Sequence, residues 1–286
     1  MSATPAPLGR LGDTPERDYS RKLRLFNALA EPELRAAIAS VHPEPGMRVL
    51  DAGCGTGETL GWLAAAVAPG GLAVGVDLST THLDVARAKL PPNALLLQAD
   101  LERTPLRMAS FDLIWSVNTV HHLRDPAAGA RALVGLLRPG GRLALGQSSL
   151  LPDMYFAWDA RLERLTTEAV RSYYRDRYHL SENDLTAVRG LLGVLRNAGL
   201  VKVTARTYVI ERCAPLDARA REWLLEAIFR GTWGERLRPY LSIADYEELT
   251  RLCDPQHPQF ALHRPDFHFV QTFTLAVGEH SLNRTP

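Results

Sequence analysis

Short apolar runs alternate with stretches of helical period through the first half of the chain. Arg48-Val49-Leu50-Asp51, Leu72 to Asp77, Ala94 to Gln98, Phe111 to Val117 and Arg142 to Gln147 read as five buried strands. The segments running to about Ala68, from Thr80 to Leu90 and from Pro126 to Leu137 have the apolar spacing of helices. Pro69-Gly70-Gly71 and Pro139-Gly140-Gly141 punctuate them. Strands alternating with helices predict a parallel sheet covered on both faces, with right-handed crossovers.

The pattern differs at the two ends. Residues 1–15, with Pro5, Pro7 and Pro15 among small residues, read as a mobile tail. Residues 16–45 read as two lid helices: Tyr19, Leu23, Phe26 and Ala30 share one face, and Pro32 opens the second helix, in which Leu34 and Ile38 share a face. Residues 46–150 form the expected core. A helical cap segment is expected over 151–183, with Trp158, Leu162, Leu165, Ala169 and Tyr173 in one stripe. Ser181-Glu182-Asn183-Asp184 reads as a capping box for a helix with Val188, Leu191, Leu192 and Leu195 inward, ended by Gly199. Residues 184–212 and 266–280 are expected to complete the sheet with a closing strand pair. Between them, 213–265 is too long for a bare loop and predicts a helical insertion. One of its helices turns Trp223, Leu224, Ala227 and Ile228 inward; another is capped by Ser242 and carries Tyr246, Leu249 and Leu252.

Composition narrows the class. The net charge of +1 over 286 residues gives no electrostatic footprint for nucleic acid or an anionic membrane. No apolar run approaches the roughly 20 residues that span a bilayer, and no signal-peptide pattern opens the chain. A soluble, cytoplasmic protein is the expectation. Cys54, Cys213 and Cys253 lie far apart in sequence, without a CxxC pair or a histidine at ligand spacing, so neither a disulfide framework nor a metal site is expected.

The candidate chemistry sits in Asp51-Ala52-Gly53-Cys54-Gly55-Thr56-Gly57, which joins the first strand to a helix. Such glycines let the chain turn tightly and let a ligand approach the backbone at the carboxyl ends of the strands. A dinucleotide fingerprint would have a third glycine at position 58, which is Glu58. Asp51 and Glu58 bracket the helix start with negative charge, which opposes a pyrophosphate and suits a cation. Asp77 ends the second strand, where it can accept both hydroxyls of a ribose. Asp100 follows the third strand, where it can accept from an adenine amino group, with the Leu101 backbone at the ring edge. Either aspartate alone would be read as a helix cap; together with the loop they outline a nucleoside site. Cys54 is read as a small packing residue of the loop.

Residues 49–57 (Val-Leu-Asp-Ala-Gly-Cys-Gly-Thr-Gly), 75–79 (Gly-Val-Asp-Leu-Ser), 98–101 (Gln-Ala-Asp-Leu), 111–116 (Phe-Asp-Leu-Ile-Trp-Ser) and 137–143 (Leu-Arg-Pro-Gly-Gly-Arg-Leu) resemble the motif series of class I S-adenosylmethionine-dependent methyltransferases. The likeness is to the ubiquinone/menaquinone-type, small-molecule branch, and it covers about residues 46 to 150. It implies an α/β, Rossmann-like, doubly wound sheet of seven mostly parallel strands with an antiparallel last strand, plus the helical cap. It also implies S-adenosyl-L-methionine as cofactor and S-adenosyl-L-homocysteine as product. Asp51, Gly53, Gly55 and Gly57 would line the methionine portion, with Asp77 and Leu78 at the ribose and Asp100 and Leu101 at the adenine. Ser116 and Val117 would face the sulfonium, and Tyr19 would reach the site from the lid.

The acceptor is expected beyond the fourth strand, at Asn118-Thr119-Val120-His121-His122-Leu123. Methyl displacement needs alignment, exclusion of water and sometimes a base. His122, and after it His121, are the candidate bases; being adjacent, they cannot both face one ligand, and a loop-holding role is the competing reading. Tyr155, Phe156, Trp158, Tyr173, Tyr174, Trp223, Phe229, Trp233 and Tyr240 in the variable parts suggest an apolar or aromatic small-molecule acceptor, although Trp223 reads better as cap core. Arg161, Arg164, Arg171, Arg175 and Arg177 read as a solvated helix face. A cofactor-binding protein that does not methylate is the alternative; a nicotinamide oxidoreductase is weaker still. Homodimerisation stays open.

Overall fold

The computed structural model describes residues 11, 14–16, 18–148, 155–156, 159–181 and 187–282. Most of the expected tail, Trp158 and the capping box from Glu182 to Asp184 lie outside the described residues. The strands are β1 (Arg48–Ala52), β2 (Leu72–Asp77), β3 (Ala94–Gln98), β4 (Phe111–Val117), β5 (Leu137–Ser148), the two-residue β6 (Tyr155–Phe156), β7 (Val201–Cys213) and β8 (His268–Glu279). β1 to β5 are parallel in the order β3-β2-β1-β4-β5. β8 then joins β5 antiparallel, and β7 closes the far edge of β8. β6 continues the β5 side of β8, at Val270 and Phe269. The seven long strands therefore have the expected arrangement, and the late pair closes the sheet as expected.

Strand alternation explains why both faces are dry. In β1, Val49 joins one buried cluster and Leu50 the other; in β4, Leu113 and Trp115 point opposite to Ile114. The first face is covered by α1 (Ser20–Leu29), α2 (Glu31–Ser40) and α3 (Glu58–Ala66), through Phe26, Leu34 and Leu63. The second is covered by α5 (Pro126–Leu136) and α7 (Leu191–Asn197), through Leu133 and Leu195. Between these helices, α4 (Thr80–Arg87) follows β2 and α6 (Ala160–Tyr178) follows β6. Gly199, at φ +87°, ends α7 in the left-handed conformation.

The segment between β7 and β8 is helical, with one departure from expectation. α8 (Ala218–Glu222) runs into a π-helix, Trp223–Trp233, rather than continuing as an α-helix. Apolar residues recur there at five-residue spacing, as Trp223, Ile228 and Trp233 and as Leu224 and Phe229, and all five are buried. An i to i+5 repeat brings such residues onto one face. The inward set Trp223, Leu224, Ala227 and Ile228 is buried as expected. α9 (Ile243–Cys253) starts at Ser242, whose Oγ accepts from the Asp245 amide at 3.2 Å, and buries Leu249. No helix among the described residues is long and apolar enough to cross a membrane.

Candidate functional site

β1 lies between β2 and β4, so the strand order reverses beside it, and ligands of open α/β sheets bind outside such a point. A cleft of about 890 Å³, its open mouth included, lies there. Gly53 and Gly55 of the loop, Asp77, Leu78 and Ser79 after β2, and Ala99, Asp100, Leu101 and Glu102 after β3 line it. Val117, Asn118, Thr119, His122 and Leu123 close it after β4, with Thr14, Tyr19, Leu23 and His82 over the remaining side.

The loop conformation explains its glycines. Gly53, Gly55 and Gly57 all have positive φ, at +83°, +51° and +83°. A Cβ on Gly53 would stand 2.2 Å from Thr119 Oγ1, so the loop and the segment after β4 meet at a distance only glycine permits. A Cβ on Gly57 would instead meet Ala86 Cβ at 2.8 Å. Gly57 thus lets α4 approach the loop and does not line the cleft.

Asp77 organises the cleft. Its Oδ2 accepts from the Gly55 amide at 2.8 Å; its Oδ1 accepts from the Ser79 amide at 2.9 Å and lies 3.2 Å from Nδ1 of His82. Nε2 of His82 accepts from the Tyr19 amide at 3.0 Å. That bond makes Nε2 the acceptor, so Nδ1 carries the proton and donates to Asp77. The start of α1 is thereby tied to the acid at the end of β2. His82 was not foreseen; its only signal was its place one turn into the helix that Ser79 caps. Asp100 Oδ1 accepts from the Glu102 amide at 2.9 Å, the capping role considered for it, and Asp100 also lines the cleft.

Asp51 is buried beneath the loop, and its Oδ2 finds no hydrogen-bond partner among the described residues. Burial, then the nearby Asp77 and Glu58 carboxylates, push its pKa up to about 8. Glu58 stands differently from the sequence-based expectation. It accepts from Thr56 Oγ1 at 2.6 Å and Asn27 Nδ2 at 3.0 Å and pairs with Lys89, so it does not face the cleft. The acidity at the cleft surface comes from Asp77, Asp100 and Glu102.

Two other expected residues lie off the cleft. Ser116 is buried, its Oγ donating to the Ala52 carbonyl at 2.8 Å, which joins β4 to β1. The half-buried His121 does not line the cleft. Desolvation, with His122 beside it, holds its imidazole well below the usual histidine range, against a hydrogen bond with Gln147. Tyr19, Gly53, Gly55, Asp77, Leu78, Asp100, Leu101, Val117 and His122 do converge on the cleft. Five cap aromatics do not: Phe229 stacks on Trp233 at 5.4 Å, Trp223 packs on Phe26 at 5.5 Å, and Tyr173 meets Tyr240 edge-on at 6.4 Å. The exposed Arg161 pairs with the buried Asp245, and Arg175 pairs with the exposed Glu168.

The comparisons with known proteins agree with this geometry. The model of the family "Methyltransferase domain" matches residues 50–145, from β1 through most of β5. The chain carries a class I methyltransferase domain. Over 113 residues, 38% of this chain and 41% of the relative, it is 35% identical to 27-O-demethylrifamycin SV methyltransferase of Amycolatopsis mediterranei. Over 226 residues, 75% of this chain and 78% of the relative, it is 27% identical to nocamycin O-methyltransferase of Saccharothrix syringae. Several other curated relatives are matched over little more than a third of their length (36% and 37% in two cases). The YcgJ protein of Bacillus subtilis has the same fold, with a TM-score of 0.54 at 16% identity, covering 88% of this chain and 99% of that one.

S-adenosylmethionine is the cofactor that a methyltransferase domain of this class takes, and the cleft fits it. Among the described residues that line the cleft there is no lysine or arginine to hold a pyrophosphate. Asp51 itself lies beneath the loop and does not line the cleft, but its buried, unpartnered oxygen is one whose desolvation a nearby cationic group would relieve.

Proposed function

We propose that the chain transfers a methyl group from S-adenosylmethionine to a hydroxyl of a small-molecule acceptor by in-line displacement. The observation that carries this reading is the acid-lined cleft, with no lysine or arginine among the described residues that line it, roofed by glycines that bring backbone to the ligand. When bound, S-adenosylmethionine supplies an electrophilic methyl on a good leaving group. Asp77 and Leu78 would hold the ribose, and Asp100 and Leu101 the adenine. Gly53, Gly55 and Val117 would line the amino-acid end, where Asp51 would face the ammonium and Tyr19 would close over it. His122, which lines the cleft, would take the hydroxyl proton; the depressed basicity of His121 suits a loop-holding role instead. The relatives' names supply the oxygen acceptor, since both place the methyl on oxygen. Because named relatives are methyltransferases, cofactor binding without methyl transfer is the less favoured reading.

The test is titration calorimetry with S-adenosylhomocysteine, followed by incubation with S-adenosylmethionine and a panel of hydroxylated small molecules. Binding together with a product heavier by one methylene is expected. Failure to bind S-adenosylhomocysteine would overturn the cofactor assignment; binding with no methylated product across the panel would count against a hydroxyl acceptor. In His122→Ala the turnover number should fall by about 100-fold or more if the histidine is the base, with cofactor affinity little changed.

A further inference from the structure

The three cysteines show no metal-ligand spacing in the sequence, yet sheet register assembles donors that are far apart along the chain. Cys213 is the last residue of β7 and stands directly opposite His268, the first of β8. Glu211 lies two residues before Cys213, so its side chain emerges on the same face of the strand. Nε2 of His268 is 2.8 Å from Oε1 of Glu211. One donor atom from each of Glu211, Cys213 and His268 lies within 4.8 Å of the other two.

We propose that Glu211, Cys213 and His268 bind a divalent ion of zinc type, with water completing a four-coordinate shell. Thiolate, imidazole and carboxylate together are the ligand set of a borderline-soft metal rather than of calcium or magnesium. Tetrahedral bonds of about 2.0–2.3 Å place donor atoms roughly 3.5 Å apart. Oε1 and Nε2 must therefore separate slightly and the thiol move inward, which the exposed side chains of Glu211 and Cys213, beside the half-buried His268, can do by small rotations. The residue between the ligands does not compete: Arg212 turns to the other face, where it pairs with Glu33 at 2.9 and 3.0 Å and donates to the Leu29 carbonyl. Cys213 is free and exposed, so its proton can leave to solvent as the ion binds. The ion would fasten β7 to β8 where the chain enters and leaves the helical insertion, apart from the cofactor cleft.

Cobalt(II) titration of the full chain, kept reduced with a phosphine, tests this. One equivalent should give thiolate-to-cobalt charge-transfer absorption in the near ultraviolet with four-coordinate visible bands, and zinc should displace it. Cys213→Ser should abolish the charge-transfer band, and His268→Ala should weaken binding roughly tenfold or more. An unchanged thermal transition in either variant without metal shows that it is folded. Absence of the band at excess cobalt, or its persistence in Cys213→Ser through Cys54 or Cys253, would overturn the proposal.

Discussion

The side chain on which the cleft depends most is Asp77. It bonds the loop glycine amide, the cap of the next helix and the histidine that reaches Tyr19. Asp77→Ala should weaken S-adenosylhomocysteine binding by on the order of 1–3 kcal/mol, because ribose hydroxyls lose a charged partner. Calorimetry reads that as a rise in Kd of about 5- to 150-fold; an unchanged Kd would contradict the ribose assignment. Asp51 predicts a pH effect of definite sign. With its pKa near 8 it is protonated at neutral pH without ligand, and an ammonium beside it favours the carboxylate. Cofactor affinity should therefore rise with pH by up to about tenfold per unit below pH 8, then level off. In Asp51→Asn the slope should vanish. Without ligand the sign reverses. The folded state binds the proton more tightly than the unfolded chain, so this group's contribution to stability falls as pH rises from about 4 to about 8.

Elements around the cleft are held to close tolerance by small residues. A Cβ on Gly75 of β2 would stand 2.5 Å from Leu60 Cδ2 and 2.8 Å from Cys54 Sγ, both buried, so a packed side chain must shift to admit it. Gly75→Ala should cost about 1–3 kcal/mol by overpacking, seen as a lowered midpoint in thermal unfolding. The strands and most helices were legible in the sequence because a strand buried on both faces and a helix buried on one leave different apolar periods. The π-helix was not, since its five-residue repeat overlaps an α-helical stripe over a few turns. Gly53, Gly55, Asp77 and Asp100 could be placed because they sit at strand ends, fixed points of this topology. Gly57, Ser116 and Glu58 share those motifs, yet what they touch, Ala86, Ala52 and Lys89, is decided by neighbouring elements. Trp223 packs in the cap core as expected, while Phe229, Trp233, Tyr173 and Tyr240, which suggested an apolar acceptor, pack on one another instead: composition says that an insertion has aromatic groups, not which way they point.

At the scale of the whole molecule, the cleft is closed by residues distant in sequence: Thr14, Tyr19 and Leu23 from the N-terminal segment, and His122 and Leu123 from beyond β4. A ligand held by all of them should stabilise the fold as a unit. At about 100 times its Kd, S-adenosylhomocysteine should add about 2.7 kcal/mol, raising the thermal midpoint by roughly 5 °C or more. A dye-based or calorimetric melt measures it directly. The Gly55–Asp77 bond carries a consequence for how such a ligand may be divided. The carboxylate proposed for the sugar is also the anchor of the backbone that meets the amino-acid end, so the two halves of the cleft are thermodynamically linked. Adenosine and homocysteine, supplied as separate molecules, should each tighten the binding of the other, and by the same factor. Replacing Asp77 by alanine should leave the two fragments indifferent to one another.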